Sequence, residues 1–293
     1  MVIIDQFLSY IQAERRYSSL TVKAYLRDLE RYYEFMEDAY GVNRVEEMST
    51  PMVKSFLVAL KEKGLSNRSI NRMISTLKTF YKYCMREGLV EKNPMVGVKN
   101  LKLPKSLVKF VSEGDINKVS FENRDEYTIK RDELLFELLY QTGMRKAELI
   151  GLRDSDVDVL GMRLKVLGKR DKERFIPVSR ELLSMIGHYQ ALRDGRFDVR
   201  PDLLMLNDRG EEMSPYFVYD KVHRMLEGVT SLKQKSPHVL RHTFATHLLD
   251  EGANLVAIQK LLGHTDLATT QVYAHNTIEQ LKKIHQQAHP KGG

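Results

Sequence analysis

The apolar residues of this 293-residue chain keep helical spacing over most of its length and turn to alternation between Arg163 and Val178. A period near ~3.6 belongs to a helix with one buried face, and a period of two to a half-buried strand. The pattern therefore predicts a mainly helical fold with one small β-hairpin or sheet. Ile3, Ile4, Phe7, Leu8 and Ile11 share a face of a first helix. Ser18 and Ser19 offer an N-cap to a second, running through Leu20, Tyr25, Leu29, Tyr32, Tyr33 and Met36 and stopping near Gly41. Thr50-Pro51 opens a third over Met52–Lys63, closed by Gly64. Ser66 caps a fourth from Arg68 to Arg86, closed by Gly88. Four helices with short turns make a small helical bundle, expected over residues 1–93.

Residues 94–109 contain Gly97 and Pro104 and show no clear period, which predicts a linker. Val96, Val98, Leu101 and Leu103 could also let it lie extended along a surface. A second domain is expected over 110–293, and two domains agree with ~150 residues per domain. In it, Asp132–Thr142 is a strongly apolar helical run ending at Gly143, followed by a short helix from Lys146 to Gly151. Arg163–Leu167 and Arg174–Val178 alternate on either side of Gly168-Lys169-Arg170-Asp171-Lys172-Glu173, the signature of a β-hairpin with a basic tip. From Arg180 the pattern is helical again to the end.

Charge gives the first hint of a partner. The net charge is +7, and residues 1–110 hold 19 basic and 12 acidic side chains against 27 of each in the remainder. The excess therefore lies in the first domain and linker, including Lys102, Lys105 and Lys109. A solvated basic surface accounts for this, and so does a phosphate-backbone partner. A hydrophobic content of 42% excludes disorder as the main theme. No run of ~18 uncharged apolar residues spans a bilayer. The opening MVIIDQFLSYIQAERR has no basic leader and is broken at Asp5, so neither a membrane protein nor a signal peptide is expected. The lone Cys84 excludes an internal disulfide and a cysteine zinc site, in keeping with a reducing, cytoplasmic setting.

Four segments carry candidate chemistry. In Thr142–Leu149, Arg145 sits at a tight helix junction and shares a helical face with Glu148. That spacing makes either a surface ion pair or part of a site. The hairpin tip holds Lys169, Arg170, Lys172 and Arg174, either a solvated loop or a finger for a nucleic-acid groove. In Pro237–His247, His238 and His242 are spaced to share a metal, but no third ligand stands at obvious spacing. His238 and Arg241 share a face and suit a phosphate clamp instead. Leu261–His275, containing His264 and Tyr273, reads equally as part of a helix-turn-helix DNA reader.

The segments TGMRKAEL, LGKRDKERFIPV, HVLRHTFATHLL and LLGHTDLATTQVYAH occur in this order behind a helical first domain. Together they resemble the tyrosine recombinase (phage integrase) family, most nearly its Xer-type members, over nearly the whole chain. NRSINRMISTLKTFYKYCMREGLVEKNP is similar to the family's core-binding domain. The resemblance implies a helical core-binding domain and an α+β catalytic domain, joined by the linker and clamping duplex DNA. It implies Tyr273 as the nucleophile, Arg145 and Arg241 as clamps on the scissile phosphate, and Lys169 as general acid for the leaving 5′-hydroxyl. His238 becomes the acid–base partner of the tyrosine, His264 a further phosphate ligand, and Glu148 a support for Arg145. Arg170 stands where the family often has glycine, which changes the hairpin turn and adds a charge that could touch DNA.

The implied activity is site-specific recombination through a 3′-phosphotyrosyl intermediate, with no cofactor and no metal. Xer-like resolution of chromosome dimers during cell division is the expected role. The implied partners are duplex DNA carrying a specific recombination site and a homo- or hetero-tetramer on it. A paralogous recombinase and an activating cell-division protein are candidate partners. Ile278, Leu281 and Ile284 lie on one stripe after Tyr273, expected to form a C-terminal exchange helix that docks on a neighbouring subunit or packs on its own domain. An integrase or invertase of a mobile element shares the same catalytic set, although no extra arm-binding domain is expected. A non-catalytic helix-turn-helix protein, a type IB topoisomerase and a metal-dependent nuclease are the more distant readings.

Overall fold

The computed structural model describes residues 2–103, 110–121, 125–168 and 173–263. The chain divides into two compact units, residues 1–106 and 107–293. Among the described residues no helix is long and apolar enough to cross a membrane.

The first unit contains α1 (Val2–Ala13), α2 (Ser19–Tyr40), α3 (Thr50–Glu62) and α4 (Asn67–Arg86). Their apolar faces meet in a core that includes Phe7, Ile11, Tyr32, Phe56, Leu77 and Phe80. The serine hydroxyls of Ser18 and Ser66 accept the amides of Thr21 and Ser69 and so cap α2 and α4, each worth about 1 kcal/mol. The start of α3 departs from the sequence expectation. Ser49, not Thr50, is its N-cap residue, and the Thr50 hydroxyl instead donates to the Pro94 carbonyl at 2.9 Å.

Beyond α4 the chain runs back along this helix. Met95 and Val98 are buried in the same core, whereas Val96 is 72% exposed. The Asn71 side chain donates to the Leu101 carbonyl and accepts the Leu101 amide. Asn67 donates to the carbonyl of Lys102. Residues 95–102 are thus held to the first unit by both packing and hydrogen bonds.

The second unit contains α5 (Glu113–Ile116), α6 (Glu126–Thr142), α7 (Lys146–Ile150), β1 (Val157–Asp158), β2 (Arg163–Leu167) and β3 (Glu173–Pro177). These are followed by α8 (Arg180–Arg196), α9 (Pro215–Leu226), α10 (Pro237–Asp250) and α11 (Leu255–Leu262). The strands form an antiparallel sheet in the order β1-β2-β3, with Leu164 opposite Ile176 and Val166 opposite Arg174. Leu164, Val166 and Ile176 are buried while Leu167 is exposed, as alternation requires. The two-residue strand β1 has too little sequence to show a period.

Two further elements differ from their expected form. Helix α6 begins at Glu126 rather than Asp132, because the Asp125 carboxylate caps it through the Thr128 amide and hydroxyl. Its early turns are polar yet buried: Arg131 is fully enclosed and donates to Asp132 and Asp208. Second, residues 197–214 are not helical. Asn207 Oδ1 takes the amides of Arg209 and Glu211, Gly210 adopts φ +78°, and Leu206 bridges to Glu212. The fully buried Arg193 holds this loop by donating to the carbonyls of Leu203 and Leu204.

Candidate active site

Helix α6 is a long, almost wholly buried helix that must end and turn sharply for the chain to re-enter as α7. Gly143 makes that turn at φ +58°. An added Cβ there would stand 2.4 Å from the Phe244 ring of α10 and 2.9 Å from Leu262 of α11. Only glycine lets the ends of α6 and α11 approach α10 this closely.

Arg145 follows as the N-cap residue of α7. Its backbone amide donates to Glu148 Oε2 at 2.7 Å, and its guanidinium Nη1 donates to Glu148 Oε1 at 2.8 Å. A carboxylate three residues into a helix is well placed to receive the capping amide. This is not a solvated surface pair, because the Glu148 side chain is only 4% exposed. Glu148 has a second partner in Arg174 of β3, whose Nη1 and Nη2 donate to its two oxygens, both at 2.8 Å. Burial opposes the charge on Glu148, but hydrogen bonds and charges from Arg174 and then Arg145 outweigh it and hold the carboxyl below its usual range.

Arg241 reaches the same place from α10. Its Nη1 donates to the Gly143 carbonyl at 2.6 Å and its Nη2 to the Leu262 carbonyl. The neighbouring Gly263 carbonyl takes Arg145 Nη2 at 3.3 Å. Two arginines from distant parts of the chain are therefore seated on neighbouring carbonyls at the end of α11. Among the described residues each gives two of its N–H groups to protein acceptors, and a guanidinium has five. Arg241 is 8% exposed. Burial, and then the charge of Arg145, bring its pKa down to about 10, opposed by Glu148. It stays protonated at neutral pH.

His238 lies at the start of α10, one turn before Arg241. Its ring remains accessible to solvent. Partial burial lowers its pKa most, followed by the nearby charges of Arg241, Lys146, His242 and Arg145. The imidazole is therefore held neutral, as a proton acceptor, to lower pH than an ordinary histidine.

Of the six site residues expected from the sequence, Arg145, His238 and Arg241 are thus brought together. Lys169, His264 and Tyr273 lie outside the described residues, as does the segment with Ile278, Leu281 and Ile284. Arg174 is a correction. It is not part of an exposed hairpin tip but belongs to β3, with its side chain 13% exposed. Its place opposite Val166 in the ladder, two residues from buried Ile176, turns it inward. The alternation of Arg174-Phe175-Ile176 carried that information; nothing in the local sequence named Glu148 as the partner. Among the described residues no three His, Cys, Asp or Glu side chains gather as metal ligands.

Comparison with known proteins agrees with this architecture. The profile of the phage integrase family matches residues 111–280, and that of the phage integrase N-terminal SAM-like domain matches residues 4–88. A tyrosine recombinase XerC from Bacillus licheniformis is 37% identical over 97% of this chain and 95% of its own length. A tyrosine recombinase XerD from Proteus mirabilis is 38% identical over 99% of this chain and 94% of its own. The crystal structure of the XerH site-specific recombinase in a post-cleavage complex with a palindromic difH substrate shares the fold, with a TM-score of 0.72. It is 20% identical, over 97% of this chain and 80% of that one. With both domain profiles matched in order and relatives this similar along the full length, the chain belongs to the phage integrase family of tyrosine recombinases.

Proposed function

We propose that this protein is a site-specific DNA recombinase that cuts and rejoins strands through a covalent 3′-phosphotyrosyl link on Tyr273. The observation that carries the reading is the pair Arg145 and Arg241, both held at the end of α11 in a cluster that, among the described residues, has one carboxylate, Glu148, against three guanidiniums. Such a cluster attracts an anion, and a phosphodiester supplies one with the geometry a guanidinium fork prefers.

The chemistry follows from charge. Attack on a phosphodiester concentrates negative charge on the non-bridging oxygens of a five-coordinate phosphorus. Guanidiniums stabilise that charge without giving up protons. The Tyr273 hydroxyl, with an ordinary pKa near ~10, needs a base, and neutral His238 serves. The tyrosine oxygen bonds to phosphorus, the bond to the 5′-oxygen breaks, and Lys169 protonates that leaving oxygen. His264 adds a further phosphate contact. The phosphotyrosyl bond conserves the phosphodiester energy, so a 5′-hydroxyl reverses the step on a new partner strand without ATP. Because cations of the chain stabilise the phosphorane, the mechanism requires no metal ion.

Binding to DNA draws on the first unit. Lys23, Arg27 and Arg31 recur every fourth residue on α2 and are all exposed, a face suited to a phosphate backbone. Exchange between two duplexes needs four active sites, so the working state is a tetramer on DNA, of this chain alone or with a paralogue. The Xer relatives support a Xer-type role, chromosome dimer resolution in the cytoplasm, with an activating cell-division protein as a candidate partner.

Cleavage of a nicked duplex carrying the recombination site tests this. The expected product is protein joined to a 3′-phosphate beside a free 5′-hydroxyl, formed at the same rate in EDTA. Loss of cleavage in EDTA would point to a metal-dependent nuclease. The pH profile tests His238 separately. Its lowered pKa keeps the base form available as pH falls, so the acid limb of kcat/KM, which reports the free protein, is expected below the ordinary imidazole value of ~6.5. His238→Ala should remove that limb, and an unchanged limb in the variant would exclude His238 as the base.

A further inference from the structure

Arg174 has no part in the mechanism above, yet among the described residues its guanidinium makes three hydrogen bonds, against two each for Arg145 and Arg241. Its Nη1 and Nη2 grip both oxygens of Glu148, and its Nε donates to the Leu261 carbonyl at 2.8 Å. It lies so close to the end of α11 that a Cβ on Gly263 would stand 3.2 Å from its Nη1. Three elements, β3, α7 and α11, are thereby tied at one guanidinium. Both clamp arginines depend on what it ties. Glu148 holds Arg145 by side chain and by backbone amide. The Leu262 and Gly263 carbonyls at the end of α11 receive Arg241 and Arg145.

Charge gives Arg174 a second task. Glu148 is buried and ionised, so it seeks a cation. Shared between two guanidiniums, it leaves most of the Arg145 charge for a ligand. Left with Arg145 alone, it would form a closed ion pair with the very group that must face the phosphate. We propose that Arg174 is a positioning residue of the strand-cleavage site: it takes up the Glu148 charge and pins the end of α11, so that Arg145 stays oriented and electrostatically free for the phosphate. This rests on the recombinase reading, since it assigns a role relative to the scissile phosphate.

The test uses the full chain and a duplex carrying the locus to which the wild-type protein becomes covalently attached in cells. Absence of any such locus would count against the recombinase reading itself. With the locus in hand, Arg174→Gln is expected to slow adduct formation at saturating protein by about tenfold to a hundredfold. Half-saturation of DNA binding should shift less than about twofold, because the side chain is spent inside the protein. The double variant Glu148→Gln/Arg174→Gln removes the unbalanced carboxylate and should recover about tenfold over the single change, which a merely structural role would not produce. A wild-type rate in Arg174→Gln overturns the proposal. So does a double variant no faster than the single one. If melting shows Arg174→Gln to be unfolded, Arg174→Lys carries the test. It keeps the charge without the fork and should cleave more slowly than wild type at unchanged DNA affinity, and a wild-type rate would again overturn the proposal.

Discussion

Tyr273→Phe is expected to bind duplex DNA as wild type does and to form no covalent adduct with it. The substitution removes one oxygen and leaves the aromatic ring. What disappears is the only atom proposed to bond to phosphorus. The loss should therefore be complete within detection, not a graded slowing, because no neighbouring group is offered as a substitute nucleophile. Gel-shift affinity and denaturing-gel adduct yield, measured on the same preparation, separate the two properties. A Phe variant that still forms adducts would move the nucleophile elsewhere in the chain. A Phe variant that no longer binds would make Tyr273 a structural residue.

The second large effect separates the two clamp arginines. Removing one donor from a preorganised oxyanion site costs roughly a hundredfold to a thousandfold in rate. Arg145→Lys should be nearly as harmful as Arg145→Ala, since an ammonium cannot present a planar fork to phosphate oxygens while also reaching Glu148. Stability should hardly change, because Arg145 is one-third exposed and Glu148 keeps the bidentate grip of Arg174. Arg241→Ala should lose similar activity and also melt earlier. Its guanidinium is buried and satisfies the Gly143 and Leu262 carbonyls, which join the end of α6 to the end of α11. Leaving a buried acceptor unsatisfied costs about 1–3 kcal/mol. Equal melting temperatures for the two variants would contradict the place given to Arg241.

Much of the fold was legible because local rules and tertiary packing agree. Ser18 and Ser66 cap α2 and α4 where the apolar stripes begin, and Gly41 ends α2 in the left-handed conformation expected of it. The strands β2 and β3 carry their pairing in their alternation. Legibility failed where burial enclosed polar residues. The early turns of α6 lie before the apolar run that begins at Asp132, and their polar Arg131 is fully buried beside Asp132 and Asp208. Residues 197–214 depend on Asn207, Gly210 and the distant Arg193, none of which sets a period.

The site shows the same division. The Arg145–Glu148 spacing suggested one helical face, and His238 with Arg241 another. Their convergence was not local information, because it depends on helix ends separated by more than a hundred residues of chain meeting at Gly143. Gly143 could be read as a helix stop. Its second duty, leaving room for Phe244 and Leu262, appears only once α10 and α11 are packed on α6. The pairing of Glu148 with Arg174 across to β3 was hidden for the same reason.

The central claim is best tested by trapping covalent protein–DNA adducts across the genome. Cells expressing the wild-type protein are denatured rapidly and the DNA attached to it is sequenced, with a Tyr273→Phe strain as control. The account predicts Tyr273-dependent adducts at one locus near the replication terminus. Adducts at inverted repeats or element ends would keep the chemistry but replace chromosome resolution with a mobile or invertible target. The absence of any Tyr273-dependent adduct, in cells shown to contain the protein and its candidate partners, would contradict the recombinase account.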